Sequence, residues 1–128
     1  MPGSPVNASQ LMSLRHAIGD HIPFCETFVS YDVVLLIMSA DEGALNINIK
    51  AINALLPYSP SYMRQIFRDL ERDGLIEISR DPRDKRNSVV KPSDRMRDAF
   101  RAFGRRAAEI FDGGQDGFDL RAALARVI

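Results

Sequence analysis

The sequence predicts a mainly α fold with one small β-hairpin, on three observations. Residues 60–73 form a helix with a start signal, a single apolar face and a stop signal. Residues 75–91 read as two short strands joined by a polar, cationic tip. Most of the remaining chain falls into helix-length runs whose apolar residues recur at three- and four-residue steps. At 128 residues the chain fits a single domain, expected over residues 8–128 behind a disordered leader at 1–7.

In chain order, Leu11, Leu14 and Ile18 mark a first helix over residues 8–18 that ends near Gly19. Pro23 makes residues 20–24 a loop or helix break. Residues 28–40 include the apolar run Val33, Val34, Leu35, Leu36, Ile37 and Met38. The stretch is too long for a strand and is expected to be a central buried helix, closed by Asp41, Glu42 and Gly43. Leu45, Asn46 and Ile47 can form a short strand that closes the hairpin's sheet. Asn48 then caps a helix to Leu56 that buries Ile49, Ile52 and Leu55. Pro57 and Tyr58 lie in the turn to the next helix, so residues 48–73 form two helices over a short polar turn.

The helix at 60–73 has the clearest signals. The Ser59 hydroxyl can accept a bond from an orphan backbone N–H, and Pro60 at the first helical position has no N–H to lose. Met63, Ile66, Phe67 and Leu70 share one face. Gly74 suits the left-handed position past the helix end, and Leu75 folds back on the last turn. Residues 75–79 then alternate as a half-buried strand and residues 87–91 return beside it. Between them, residues 81–86 hold three cations in six positions, too polar for a core. Ser93 caps a long helix over residues 93–112 with a stripe of Met96, Phe100, Phe103, Ala107 and Ile110. Residues 113–117 are a loop, and residues 118–127 a last helix with Leu120, Leu124 and Val127 apolar.

The outer face of the helix at 60–73 carries Ser61, Tyr62, Arg64, Gln65, Arg68 and Arg72, while Asp69, Glu71 and Asp73 gather in the last turns. Arginine can bond guanine O6 and N7 together, and glutamine can bond adenine N6 and N7 together. An arginine on a hairpin tip suits a narrow, electronegative minor groove. The candidate DNA-binding residues are therefore Ser59, Ser61, Tyr62, Arg64, Gln65 and Arg68 on the helix, with Arg83, Lys85 and Arg86 on the tip.

These residues resemble the multiple-antibiotic-resistance regulator (MarR) type of winged helix-turn-helix protein. The resemblance is carried by residues 59–62 opening the helix, residues 70–76 closing it, and residues 81–86 as the wing. The family wing pattern of Asp, any residue, then Arg is matched by Asp84, Lys85 and Arg86. By resemblance, Arg86 enters the minor groove and Asp84 supports the wing. The resemblance also implies a homodimer in which the terminal helices (8–18, 93–112 and 118–127) pair across a two-fold axis. Such a dimer reads a near-palindromic operator in double-stranded DNA and answers to a small-molecule effector, whose identity nothing in the sequence gives. The chain departs from the family after the wing: Ser93 replaces a capping threonine, and the customary leucine and glycine are missing.

Formal net charge is zero, which excludes a simple basic DNA-coating protein. The charge is divided unevenly: residues 1–59 carry −3, residues 60–106 carry +5 and residues 107–128 carry −2. A localised basic surface is the footprint of a sequence reader. No apolar run reaches transmembrane length, and the start lacks the basic-then-apolar plan of a secretion signal. No membrane association is expected, and the cytoplasm is the expected location. A single cysteine forbids an intramolecular disulfide. His16, His21, Cys25 and Asp20 lie close in sequence, but Pro23 interrupts any shared helical face. Neither a metal site nor any other cofactor is expected, and Cys25 reads as an inert thiol. With no nucleophile–base pairing and no phosphate loop, the chain does not read as an enzyme. The competing reading is a winged-helix module that binds protein and not DNA, favoured by the acidic flanks.

Overall fold

The structure is a computed structural model of the chain, and it describes residues 6–23, 27–112 and 119–127. The described elements run α1 (Ala8–His21), α2 (Phe28–Glu42), β1 (Ile47–Asn48), α3 (Ile49–Leu55), α4 (Pro60–Arg72), β2 (Ile76–Arg80), β3 (Ser88–Pro92), α5 (Asp94–Phe111) and α6 (Leu120–Val127). This is the mainly α fold with a small β-wing that the sequence predicts. The chain divides into two compact units, residues 23–99 and residues 1–22 with 100–128; α5 contributes to both.

In the unit formed by residues 23–99, the core is built from Val33, Val34 and Ile37 of α2, Ile52 of α3, and Met63, Ile66, Phe67 and Leu70 of α4. Sheet residues Ile76, Val89 and Val90 complete it. The sheet is antiparallel in the order β1-β3-β2. Ile47 and Ile78 both pair with Val90, and Asn48 and Ser79 both pair with Val89. Both valines of the central strand are buried, because side chains of successive residues leave on opposite faces and both faces here are covered. Ser93 ties the base of the sheet to α5: its backbone N–H and its hydroxyl both donate to Leu75 O (3.0 and 3.1 Å). The same hydroxyl accepts from Met96 N at 3.2 Å, capping the helix as expected.

Several boundaries differ from the sequence expectation. α1 continues through Gly19 to His21, where the Ile22 N–H bonds back to Ile18 O. Asn7, expected in a disordered leader, instead makes a reciprocal capping box with Gln10. Of the three residues that mark the helix in the sequence, Ile18 is buried and Leu11 is exposed; Ser13 and Ala17 are also buried. Gln10 Nε2 donates to Ile110 O at 3.3 Å, joining α1 to α5 within the second unit. The wing strands each begin one residue later than expected. β1 comprises Ile47 and Asn48, not residues 45–47, because the chain is still completing the end of α2 at Leu45, whose N–H donates to Ala40 O at 2.8 Å.

In α3, Asn48 caps as expected, accepting from Ala51 N at 2.7 Å, and Ile52 is fully buried. Leu55 is 64% exposed, against expectation. At 100° per residue Leu56 falls between Ile49 and Ile52 on the helix surface, whereas Leu55 is turned a further 60° away. Leu56 is accordingly half-buried in its place. α6 begins at Leu120, with Asp119 accepting from the N–H groups of Arg121 and Ala122. Phe118, the expected first residue of that helix, and the loop at 113–117 lie outside the described residues, as does Cys25.

Candidate nucleic-acid interface

α4 is positioned at both ends. At its start the Ser59 hydroxyl accepts from Tyr62 N at 3.2 Å with Pro60 in the first turn; a cap of this kind contributes about 1 kcal/mol. At its end Gly74 takes φ +72°. Gly74 N donates to Glu71 O and Leu75 N to Leu70 O, at 3.0 and 2.9 Å, the paired bonds of a Schellman stop with buried Leu75 as its apolar contact. Arg95 Nη1 reaches back from α5 to Asp73 O at 2.8 Å, satisfying a carbonyl that the helix leaves open. Ahead of the helix, Tyr58 donates its phenol hydrogen to Asp32 Oδ2 at 2.7 Å, pinning the inter-helix turn to α2. That bond to a carboxylate raises the Tyr58 pKa above the ordinary phenol value.

With Met63, Ile66, Phe67 and Leu70 facing inward, helical geometry puts Ser61, Gln65, Arg68 and Arg72 along the ridge directly opposite, with Arg64 to one side. All five are exposed, as are Ser59 and the half-exposed ring of Tyr62. The side chains of Arg64 and Arg68 make no hydrogen bond or ion pair with the described residues. Gln65 and Arg72 do: Gln65 Nε2 donates to Asp69 Oδ1 at 2.9 Å, and Arg72 bonds both Asp69 (3.1 Å) and Asp73 (3.2 Å). Bonding to Asp73, and the fields of Asp73 and Asp69, raise the Arg72 pKa. Asp69 was absent from the sequence-derived set. Its signal was legible in the four-residue step from Gln65 and the three-residue step to Arg72, spacings that bring helix-surface side chains together.

The wing tip is shaped from inside by two aspartates. Asp81 Oδ1 accepts from Arg83 N at 2.9 Å, and Asp84 Oδ1 accepts from Arg86 N at 3.1 Å. Asp84 Oδ2 also accepts from Asn87 Nδ2 at 3.3 Å, and Asp84 O from Asn87 N at 3.0 Å. A backbone donor occupies one oxygen of each aspartate, and the cationic side chains stay outside. Arg86 lies 3.9 Å from Asp84 yet is 95% exposed; Arg83 and Lys85 are exposed as well.

One further charged cluster lies in the same unit. Arg97 bonds both oxygens of Asp41 at 2.9 Å and Asp94 at 3.0 Å. The bond from Arg97 pulls the Asp41 carboxyl below the ordinary carboxylate range, and the bond to Asp41 raises Arg97 in turn. The pair borders a cavity of about 240 Å³ that Asn46 and Lys91 also line. No nucleophile and base meet there, and its carboxylate and guanidinium are engaged with each other. On α1, His16, Asp20 and His21 are all exposed; among the described residues no three potential metal ligands converge. No helix among the described residues is long and apolar enough to cross a membrane.

Known structures share this fold. The fold is similar to that of MarR, at 20% identity and a TM-score of 0.56 over 91% of this chain and 87% of that one. It is similar to reduced AbfR bound to DNA, at 18% identity and 0.57 over 79% and 71%. The third is the PcaV transcriptional regulator from Streptomyces coelicolor in complex with its natural ligand, at 18% and 0.55 over 84% and 79%. The chain therefore has the winged-helix fold of the MarR-type regulators. No protein-family model matches the sequence, and no curated protein matches it.

Proposed function

We propose that the protein is a DNA-binding transcriptional regulator that acts as a homodimer on a near-palindromic operator. The observation that carries this reading is the pairing of two exposed cationic elements on one unit: the outer face of α4 with Arg64 and Arg68, unpaired among the described residues, and the wing tip with Arg83, Lys85 and Arg86. α4 would enter the major groove, where Ser61, Tyr62, Arg64, Gln65 and Arg68 meet base edges and phosphates. Arg86 would enter the adjacent minor groove, with Asp84 holding the backbone that presents it. The fold shared with DNA-bound AbfR supports the reading, and the fold shared with ligand-bound PcaV supports a small-molecule effector. The dimer is supported by the exposed apolar side chains of the terminal helices, Leu11, Phe111, Leu120, Leu124 and Val127 among them.

Duplex binding measured over a range of salt concentrations tests the proposal. Each phosphate neutralised releases a counterion, so affinity should fall linearly on a log–log scale, with a slope of several units. Arg86→Ala should weaken binding about tenfold, within the range of one good groove contact, while the thermal melting temperature stays unchanged. Unchanged affinity of that variant at physiological salt would sink the wing assignment. A complex insensitive to salt would sink the DNA reading and favour the protein-interaction module.

A further inference from the structure

We infer that Asp69 is a positioning residue for base recognition: it holds the Gln65 amide in the one orientation that reads adenine. The inference rests on the DNA reading above and adds a specificity to it.

Gln65 sits in the middle of the outward ridge of α4, where a base edge is within reach, and its Nε2 already donates to Asp69 Oδ1 at 2.9 Å. An ionised carboxylate can only accept hydrogen bonds, so it must face the amide nitrogen and not the amide oxygen. This removes the two-fold ambiguity of a glutamine side chain. Once one N–H is given to Asp69, the other N–H and both lone pairs of Oε1 remain free. Those are the donor and acceptor that match adenine N7 and N6. Asp69 is itself fixed, because the same Oδ1 accepts from Arg72 Nη1 at 3.1 Å and Arg72 is held in turn by Asp73 at 3.2 Å. The Gln65–Asp69–Arg72–Asp73 chain therefore orders a flexible side chain before DNA arrives, which lowers the entropy cost of using it. It also accounts for acids on a surface offered to phosphates: Asp69 lies under the ridge, only 22% exposed, with Arg72 against it.

Selection from a random duplex library, with full-length wild type, Gln65→Ala, Asp69→Ala and the double variant, tests this directly. One position in each half-site should prefer adenine by about tenfold or more in wild type, the discrimination of one bidentate pair. At that position the preference should fall to about twofold or less in both single variants, with the other positions unchanged. The double variant should be no worse than either. Asp69→Ala should meanwhile bind random duplex more tightly, since it removes a negative charge. Retention of the adenine preference in Asp69→Ala, or an even loss at every position, overturns the positioning role. So does a Gln65→Ala variant that loses no position. Failure of wild type to enrich any sequence would instead remove the DNA reading, and this inference with it.

Discussion

The two units of the chain cover their apolar side chains to different degrees. In residues 23–99, Val33, Val34, Ile37, Ile52, Met63, Leu70 and Leu75 are each no more than 1% exposed. In residues 1–22 with 100–128, Ala17, Ile18, Phe103 and Ile110 are buried, yet Leu11, Met12, Phe111, Leu120, Leu124 and Val127 are exposed, and α6 buries nothing. The first unit covers most of its hydrophobic pattern within one chain, with Leu45 and Leu55 as exposed exceptions. The second leaves part of its apolar pattern uncovered among the described residues, and a helix with an uncovered apolar face gains little from folding alone. On the proposed function, the difference separates a DNA-reading unit from an element whose burial a second copy would complete.

The largest expected effect lies in the finished unit. Leu70→Ala should cost about 2–5 kcal/mol in denaturant unfolding, because Leu70 is wholly enclosed and its loss leaves a cavity. Leu124→Ala, measured at high dilution, should change stability by about 0.5 kcal/mol or less, as for exposed positions generally. Equal costs at both positions would erase the contrast between the units.

A smaller effect concerns how α4 is framed within the first unit. α2 and α4 stop in the same way: Ala44 N and Leu45 N bond to Asp41 O and Ala40 O as Gly74 N and Leu75 N bond to Glu71 O and Leu70 O. In α4 the left-handed position is a glycine, but in α2 it is Ala44, at φ +54°. Gly74→Ala should destabilise by about 1 kcal/mol through backbone strain alone, since an added Cβ meets nothing within 4 Å. Ala44→Gly should stabilise by about 0.5–1 kcal/mol. Thermal melting of the two variants in opposite directions is the expected outcome; shifts of the same sign would contradict the shared stop.

The smallest effect is a pH dependence. Asp41 has a lowered pKa because Arg97 bonds its charged form. A carboxylate with a depressed folded pKa contributes stability above its unfolded value and loses it as pH falls through the folded one. The advantage of wild type over Asp41→Asn should therefore be present at neutral pH and shrink from about pH 4 downward. A gap that stays constant from pH 7 to about pH 2 would show that the carboxylate charge contributes nothing.

The parts legible in the sequence were those fixed by local chemistry. Ser59, Pro60 and Gly74 mark the ends of α4, and its four core residues follow from three- and four-residue spacing alone. Shorter elements were less legible for a physical reason. In a seven-residue helix such as α3, Leu55 and Leu56 both satisfy a loose periodicity, and only the 40° offset of Leu56 from Ile52 decides which is covered. α2 ends at Glu42 with Gly43 as its cap, as expected; its left-handed position falls one residue further, at Ala44, because hydrogen bonding to Asp41 and Ala40 sets it and residue type only lowers its cost. Periodicity places Leu11 on an apolar face of α1 without saying whether that face is covered, and Leu11 is exposed. On the candidate interface, the cations are visible in composition, but the Gln65–Asp69–Arg72 chain is not, because it depends on three- and four-residue spacing across residues of opposite charge.

The most direct test of the central contrast is selection from random duplexes by wild type and by Leu124→Asp, a charge on the exposed face of α6. Wild type should enrich two inverted half-sites about one helical turn apart. Leu124→Asp should enrich the same half-site singly, with the reading unit intact and the pairing lost. A wild type that selects only isolated half-sites, or a variant that keeps the paired spacing, would contradict the account of one finished unit and one completed by a second copy.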